Sequence, residues 1–222
     1  MGESQVKSRQ RVVDHGEVFT AEREVNAMLD MVKQETERID SRFLEPACGN
    51  GNFLAEVLRR KLAVVTRRSH RDSAVWEREA FIAVASLYGV ELLPDNVEEC
   101  RERLLGIVTQ EWLCICKSQG HEAFLDAVTY VLSRNIQCGD ALTMKTTKGE
   151  PITFSEWSLV FTDKIKRCDY RLCDLLESHE ESPSLFGSDG TMWGYDEETK
   201  SPVAPIIEEF APTSIYEVVN HG

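Results

Sequence analysis

Positive charge is scarce in this 222-residue sequence: 25 Lys and Arg stand against 38 Asp and Glu, a net charge of −13. That balance is a poor footprint for a stand-alone DNA binder, which carries a basic face. Long apolar runs are missing too. Nothing approaches the roughly 20 residues of a membrane span, and the opening "MGESQVKSRQRVV" lacks the apolar core of a signal peptide. The seven cysteines contain no CxxC pair and no framework spacing, so a reduced, cytoplasmic chain is expected. Cys114 and Cys116, followed by His121, match no zinc-ligand spacing, and no metal is expected.

What is present is an ordinary globular composition, 42% hydrophobic and 28% charged. A domain of this length buries roughly 70% of its unfolded surface. The acidic excess sits at the end. From Glu180 onward there are nine carboxylates and one lysine, Lys200. The stretch "SPSLFGSDGTMWGYDEETKSPVAP" is rich in Gly, Pro and acids and has no period. It reads as a long loop, mobile after about Ser182. The chain therefore divides into a polar leader over 1–14, one domain over 15–177 and an acidic, loop-rich tail over 178–222.

Within that domain, strand-like and helix-like stretches alternate. Thr20 is placed to cap a helix carrying Val25, Met28, Leu29 and Val32 at helical spacing. "RFLEPA" reads as a short buried strand. Phe53, Leu54, Val57, Leu58 and Leu62 mark the next helix, and Arg67 to Asp72 a solvated basic connection. A helix over Trp76 to Leu87 leads into a second strand, "YGVEL". Pro94 then opens another helix, where its missing N–H costs nothing. Phe124, Leu125, Val128 and Leu132 mark a further helix. "NIQCGDAL" and "WSLVFTD" supply the third and fourth strands. This alternation predicts an α/β fold with a largely parallel sheet and flanking helices.

In such a sheet, ligands bind at the carboxyl ends of the strands. "FLEPACGNGNF" puts a two-glycine turn at one such end. Gly49 and Gly51 allow a sharp bend and close backbone approach. Two glycines alone are often only packing. Here Glu45 and Pro46 precede them, Glu91 ends the second strand and Asp140 ends the third. Three acids repel a pyrophosphate, and no Walker lysine follows the turn. A cationic, nucleoside-containing ligand fits these signs, and S-adenosyl-L-methionine is one.

"FLEPACGNGNFL" resembles the S-adenosylmethionine loop of the amino-group DNA methyltransferases, above all the adenine-N6 enzymes of restriction-modification systems. "HGEVFTAEREVNAML" resembles the segment preceding that loop, "YGVELLPDNVEECRERLL" the next motif and "IQCGDAL" the third, in the family's order from His15 to Leu142. The resemblance implies a Rossmann-like class I methyltransferase sheet. It also implies a cofactor site of Phe19, Thr20, Glu45, Pro46, Ala47, Cys48, Gly49, Gly51, Phe53, Glu91, Leu92, Asp140 and Ala141. In it, Phe19 and Thr20 hold the methionine end, Glu91 the ribose, and Asp140 lies near the adenine amino group. The spacing from Gly51 to Glu91 exceeds the ~20 residues common after such a loop, which makes Arg67 to Ala85 an insertion.

The family's run of Asn or Asp, two prolines and an aromatic after the fourth strand is absent. "SLVFTD" is followed by Lys164, Ile165 and Lys166. A target-recognition domain is absent too, and "DKIKRCDYR", the one basic cluster nearby, reads first as a solvated strand edge. Three readings follow: a split methyltransferase subunit whose second chain contacts DNA, a divergent transferase, or a methyltransferase-derived regulator of restriction or phage defence without turnover.

Overall fold

The computed structural model describes residues 7–15, 18, 20–70, 72–116, 120–161, 163–177, 194–196 and 201–221. Helix α1 (Arg9–His15) comes first, followed by α2 (Glu22–Met31) and the short α3 (Lys33–Thr36). Thr20 does not cap α2. Ala21 occupies the cap position without a side-chain bond, and its carbonyl accepts from Glu24 and Val25 N–H. Glu22 and Glu24 place negative charge in the first turn, where the helix dipole favours it.

Strand β1 (Phe43–Glu45) feeds the glycine turn and then α4 (Asn52–Arg68). Leu54, Leu58, Lys61, Leu62 and Val65 recur at helical spacing and are all buried on α4. The helix continues to Arg68, so the basic connection begins later than its composition suggests. Asp72 caps α5 (Ser73–Ala85) by accepting Val75 N–H at 3.0 Å. Strand β2 (Leu87–Glu91) is buried throughout. Helix α6 (Pro94–Ile115) starts on its proline, and α7 (Glu122–Asn135) runs directly into β3 (Ile136–Asp140).

β1, β2 and β3 are neighbours in that order and pair in parallel. Parallel neighbours need long crossovers. α4 with α5 supplies the first and α6 with α7 the second, and these four helices pack on one another. β4 (Lys145–Thr146) adds antiparallel to β3. The outer edge of β1 has no strand partner among the described residues. The result is a mixed α/β fold with a four-stranded, partly parallel sheet. Alternation along β2 divides the apolar core. Leu87 faces the large helix-covered cluster, whereas Tyr88 and Val90 pack with Ile152, Phe154 and Leu172.

The fourth predicted strand lies elsewhere. β5 (Thr153–Val160) pairs antiparallel with β6 (Lys164–Arg171) in a separate sheet. Only three residues separate them, too few for a parallel crossover. Trp157 of β5 anchors that sheet to the helices through an edge contact with Phe81 at 5.7 Å between ring centroids. β6 is not a solvated edge either. It is flanked by β5 and by two short later strands, and Arg167 is buried. The Arg167 guanidinium donates to both Asp169 oxygens at 2.8 Å and lies 4.0 Å over the Phe210 ring.

After α8 (Leu172–Glu177) come the hairpin strands β7 (Gly194–Asp196) and β8 (Ser201–Val203). β9 (Glu208–Glu209) and β10 (Thr213–Ser214) both pair with β6, and a 3-10 turn (Val218–His221) closes the described chain. Ile215 and Val218 are buried in the main core. Residues 204–221, read from composition as part of a tail that buries no core, therefore carry two core anchors; most of 182–200 lies outside the described residues. Among the described residues, no helix is long and apolar enough to cross a membrane.

Candidate functional site

The carboxyl ends of β1, β2 and β3 open into a cleft of about 650 Å³. Each strand delivers one acid there: Glu45, Glu91 and Asp140. The turn after β1 forms the adjoining wall. Cys48 N–H donates to the Val90 carbonyl at 3.0 Å, so the chain leaves β1 still tied to β2. Gly49 then takes φ 52° and Gly51 φ 85°, conformations that side chains disfavour.

Glu91 is the best-held of the three acids. Its Oε2 accepts Gly49 N–H at 2.9 Å, and its Oε1 accepts Leu93 N–H at 2.9 Å and Asn96 Nδ2 at 3.5 Å. A carboxylate offers about four acceptor sites, so by count one on Oε2 remains for a ligand hydroxyl. Glu45 is less well partnered. Burial raises its pKa above the ordinary carboxylate value, and a 3.4 Å bond from Ala47 N–H opposes this only in part. Asp140 Oδ1 accepts Leu142 N–H at 2.8 Å, which folds the chain back after β3.

Of the residues expected from the sequence, Thr20, Glu45, Pro46, Ala47, Cys48, Gly49, Phe53, Glu91, Leu92, Asp140 and Ala141 all line this one cleft. Phe19 lies outside the described residues. Gly51 is not in the wall. A Cβ there would fall 2.7 Å from Cys100 Sγ, so this glycine admits α6 rather than a ligand. The Cys48 thiol, buried in the wall, has its pKa raised by a hydrogen bond with Cys100 and by burial, which makes it a packing group rather than a nucleophile.

The cleft also uses residues that the sequence did not single out. Asn50 contributes an Oδ1 that is buried without a partner. Its position between two glycines was the available signal. Asn52 accepts Arg103 Nη1 at 2.7 Å and reaches the Thr20 carbonyl at 3.5 Å, so it links α6 to the segment before α2. The leader is joined as well. Lys7 Nζ donates to Asn96 Oδ1 at 2.8 Å, and Arg11 pairs with Asp95 at 2.6 Å. The Arg11 hydrogen bond, then Lys7, brings the Asp95 pKa down to about 2.

Among the described lining residues there is no Lys, Arg or His. Three carboxylates in a concave wall set up a negative potential that favours a cation. The orphan Asn50 oxygen is an acceptor in want of a donor. The chemistry of this wall therefore suits a cationic molecule with hydroxyls and an ammonium or amino group. Cys114 is exposed, Cys116 buried, and His121 Nδ1 lies 2.9 Å from Glu77 Oε2. Among the described residues, no group of three or more His, Cys, Asp or Glu is placed to hold a metal ion.

No protein-family model, no curated protein and no solved structure matches this chain.

Proposed function

We propose that this cleft binds S-adenosyl-L-methionine and that the chain is the cofactor-binding part of an adenine-N6 DNA methyltransferase, working with a second chain that recognises the base. One observation carries the reading: the tips of three adjacent parallel strands bring three carboxylates to a glycine turn whose amide is bonded to one of them. The β1–β2–β3 order, with helical crossovers, is the arrangement expected of half a Rossmann-like class I methyltransferase sheet.

The residues present fit the cofactor. Glu91 Oε2 would accept a ribose hydroxyl, and Asp140 would lie near the adenine amino group. Thr20 and the turn from Pro46 to Gly49 would hold the methionine end, with Glu45 and the orphan Asn50 oxygen suited to its ammonium. When bound, the cofactor supplies an electrophilic methyl on a sulfonium, open to in-line attack by an adenine amine. This chain's contribution is to position that methyl and to balance charge around it.

The acceptor side is not built from the described residues. No residue of β5 or β6 lines the cleft, and the turn between them lacks the proline-aromatic run that would orient an amine and stack a flipped base. The outer edge of β1, without a strand partner among the described residues, lies beside the cleft and would offer a partner a place to extend the sheet. The same lack favours the second reading, a non-catalytic binding or regulatory protein derived from such an enzyme. Calorimetric titration with S-adenosylmethionine and S-adenosylhomocysteine tests the shared claim. Saturable binding, weaker for the uncharged sulfur, is expected. No heat with either ligand would end both readings.

A further inference from the structure

Neither Lys7 nor Asn96 lines the cleft, yet hydrogen bonds join both to its best-held acid. Two of the donors on Glu91 are backbone amides, Gly49 N–H from the turn and Leu93 N–H just beyond β2, and the fold fixes both. The third is the Asn96 side chain, at 3.5 Å the longest of the three. Asn96 is buried in the first turn of α6. Its amide has two ways to face Glu91. Nitrogen first, it donates; oxygen first, it sets acceptor against acceptor.

Lys7 favours the first arrangement. Its Nζ lies 2.8 Å from Asn96 Oδ1 in a part-buried setting. An ammonium has donors only, so the amide oxygen turns to Lys7 and the nitrogen to Glu91 Oε1. The lysine is itself held. A cation at a helix N-terminus works against the helix dipole, but Asp95 at 3.3 Å and Glu99 offset this. Arg11 of α1 donates to both Asp95 oxygens, at 2.6 and 3.2 Å, and clamps the leader to the same turn of α6. These ion pairs would fasten the leader by themselves. The bond to Asn96 does something more: it orients a side chain that touches the cleft acid. From Lys7 to Asn96 to Glu91 to Gly49, the successive distances are 2.8, 3.5 and 2.9 Å.

We propose that Asn96 is a positioning residue for Glu91 and that Lys7 sets the orientation of its amide, so that the leader shapes the cofactor site without touching the ligand. This role rests on the reading of Glu91 as the ribose acceptor. With donors on both oxygens, the carboxylate plane is fixed, and the open acceptor position on Oε2 faces one direction. With the amide reversed, its oxygen would press against Oε1 and turn that position away from the ribose hydroxyl.

The test is calorimetric titration of the whole chain with S-adenosylhomocysteine and with its 2′,3′-dideoxyribose analogue, which lacks the hydroxyls. The unaltered chain should bind the analogue roughly tenfold more weakly. Asn96→Leu should weaken S-adenosylhomocysteine roughly tenfold and Lys7→Met roughly threefold, with little further loss for the analogue. In a Glu91→Gln background neither substitution should weaken binding further. Lys7 is not among the buried residues, so Lys7→Met keeps the proposal falsifiable should Asn96→Leu fail to fold. Equal losses for both ligands, or unchanged affinity in Lys7→Met, would overturn the proposal and leave the cofactor reading standing. Equal binding of the two ligands by the unaltered chain would remove Glu91 from the ribose and the proposal with it. No binding of S-adenosylmethionine or S-adenosylhomocysteine by that chain would end the cofactor reading as well.

Discussion

Gly49 N–H donates to Glu91 Oε2 across 2.9 Å, joining the bend after one strand to the tip of the next. Forty-two residues separate the two in sequence. The bond fixes the turn and the carboxylate together, so loss of either disturbs both.

Glu91→Ala should therefore act twice. It removes the proposed ribose acceptor, and it leaves the Gly49 and Leu93 amides without their partner. S-adenosylmethionine affinity is expected to fall by about 1.5–3 kcal/mol, and stability by about 1–3 kcal/mol. Calorimetry and thermal melting measure the two effects separately. Unchanged affinity would remove Glu91 from the site.

Glu45 predicts a pH dependence. Its folded pKa is raised, chiefly by burial, so the folded chain holds the Glu45 proton more tightly than the unfolded chain does. Its ionisation thus opposes folding: the penalty is absent below the unfolded pKa and complete once pH passes the folded one. A bound cation favours the ionised form. S-adenosylmethionine affinity should then rise as pH climbs through the carboxylate range and level off above it. Glu45→Gln should flatten that rise. A profile identical in wild type and variant would show that Glu45 does not sense the ligand.

The two reasons for a glycine can be separated by mutation. Gly51→Ala combines a φ of 85° with a Cβ placed 2.7 Å from Cys100 Sγ. It should destabilise the fold by about 1–3 kcal/mol. Gly106, inside α6, has nothing within 4 Å of the added carbon. Gly106→Ala should instead stabilise by about 0.5–1 kcal/mol. Chemical denaturation of both variants checks the contrast, and a neutral Gly51→Ala would refute the packing role.

On the proposed division of labour, the purified chain alone should transfer little or no labelled methyl from S-adenosylmethionine to DNA. Adding the partner chain should restore transfer. Robust methylation by the lone chain would show that the acceptor site is built from residues of this chain after all.

The three parallel strands were legible because each is a short run closed by punctuation: Pro46 and Gly49 after β1, Pro94 after β2, and Asp140 as the last residue of β3. The cleft followed, since strand ends and acids coincide at the same residues. Which sheet "WSLVFTD" joins was not legible. Alternation marks a strand but not its neighbour, and here the tight turn to β6 decided it. Arg167 looked solvated because composition does not reveal that Asp169, two residues on and so on the same face of β6, would bond it. Lys61 hid in the same way. It sits on an amphipathic helix, yet it is fully buried and bonds the Ile39 and Ser41 carbonyls and the Ser86 hydroxyl. Ile215 and Val218 lay in an acidic region whose average charge masked two apolar anchors.

If the cleft binds as proposed, its acids would also impose an order of arrival. Its field extends about one Debye length, ~8 Å at physiological ionic strength. On the proposed reading, a small cation diffusing past would be captured, and its capture should slow as salt is added. A polyanionic strand is turned away from the same mouth until that charge is masked. On the proposed reading, nucleic acid can approach only a loaded cleft or one shielded by a basic companion, so occupancy by the small molecule becomes the gate for everything that follows.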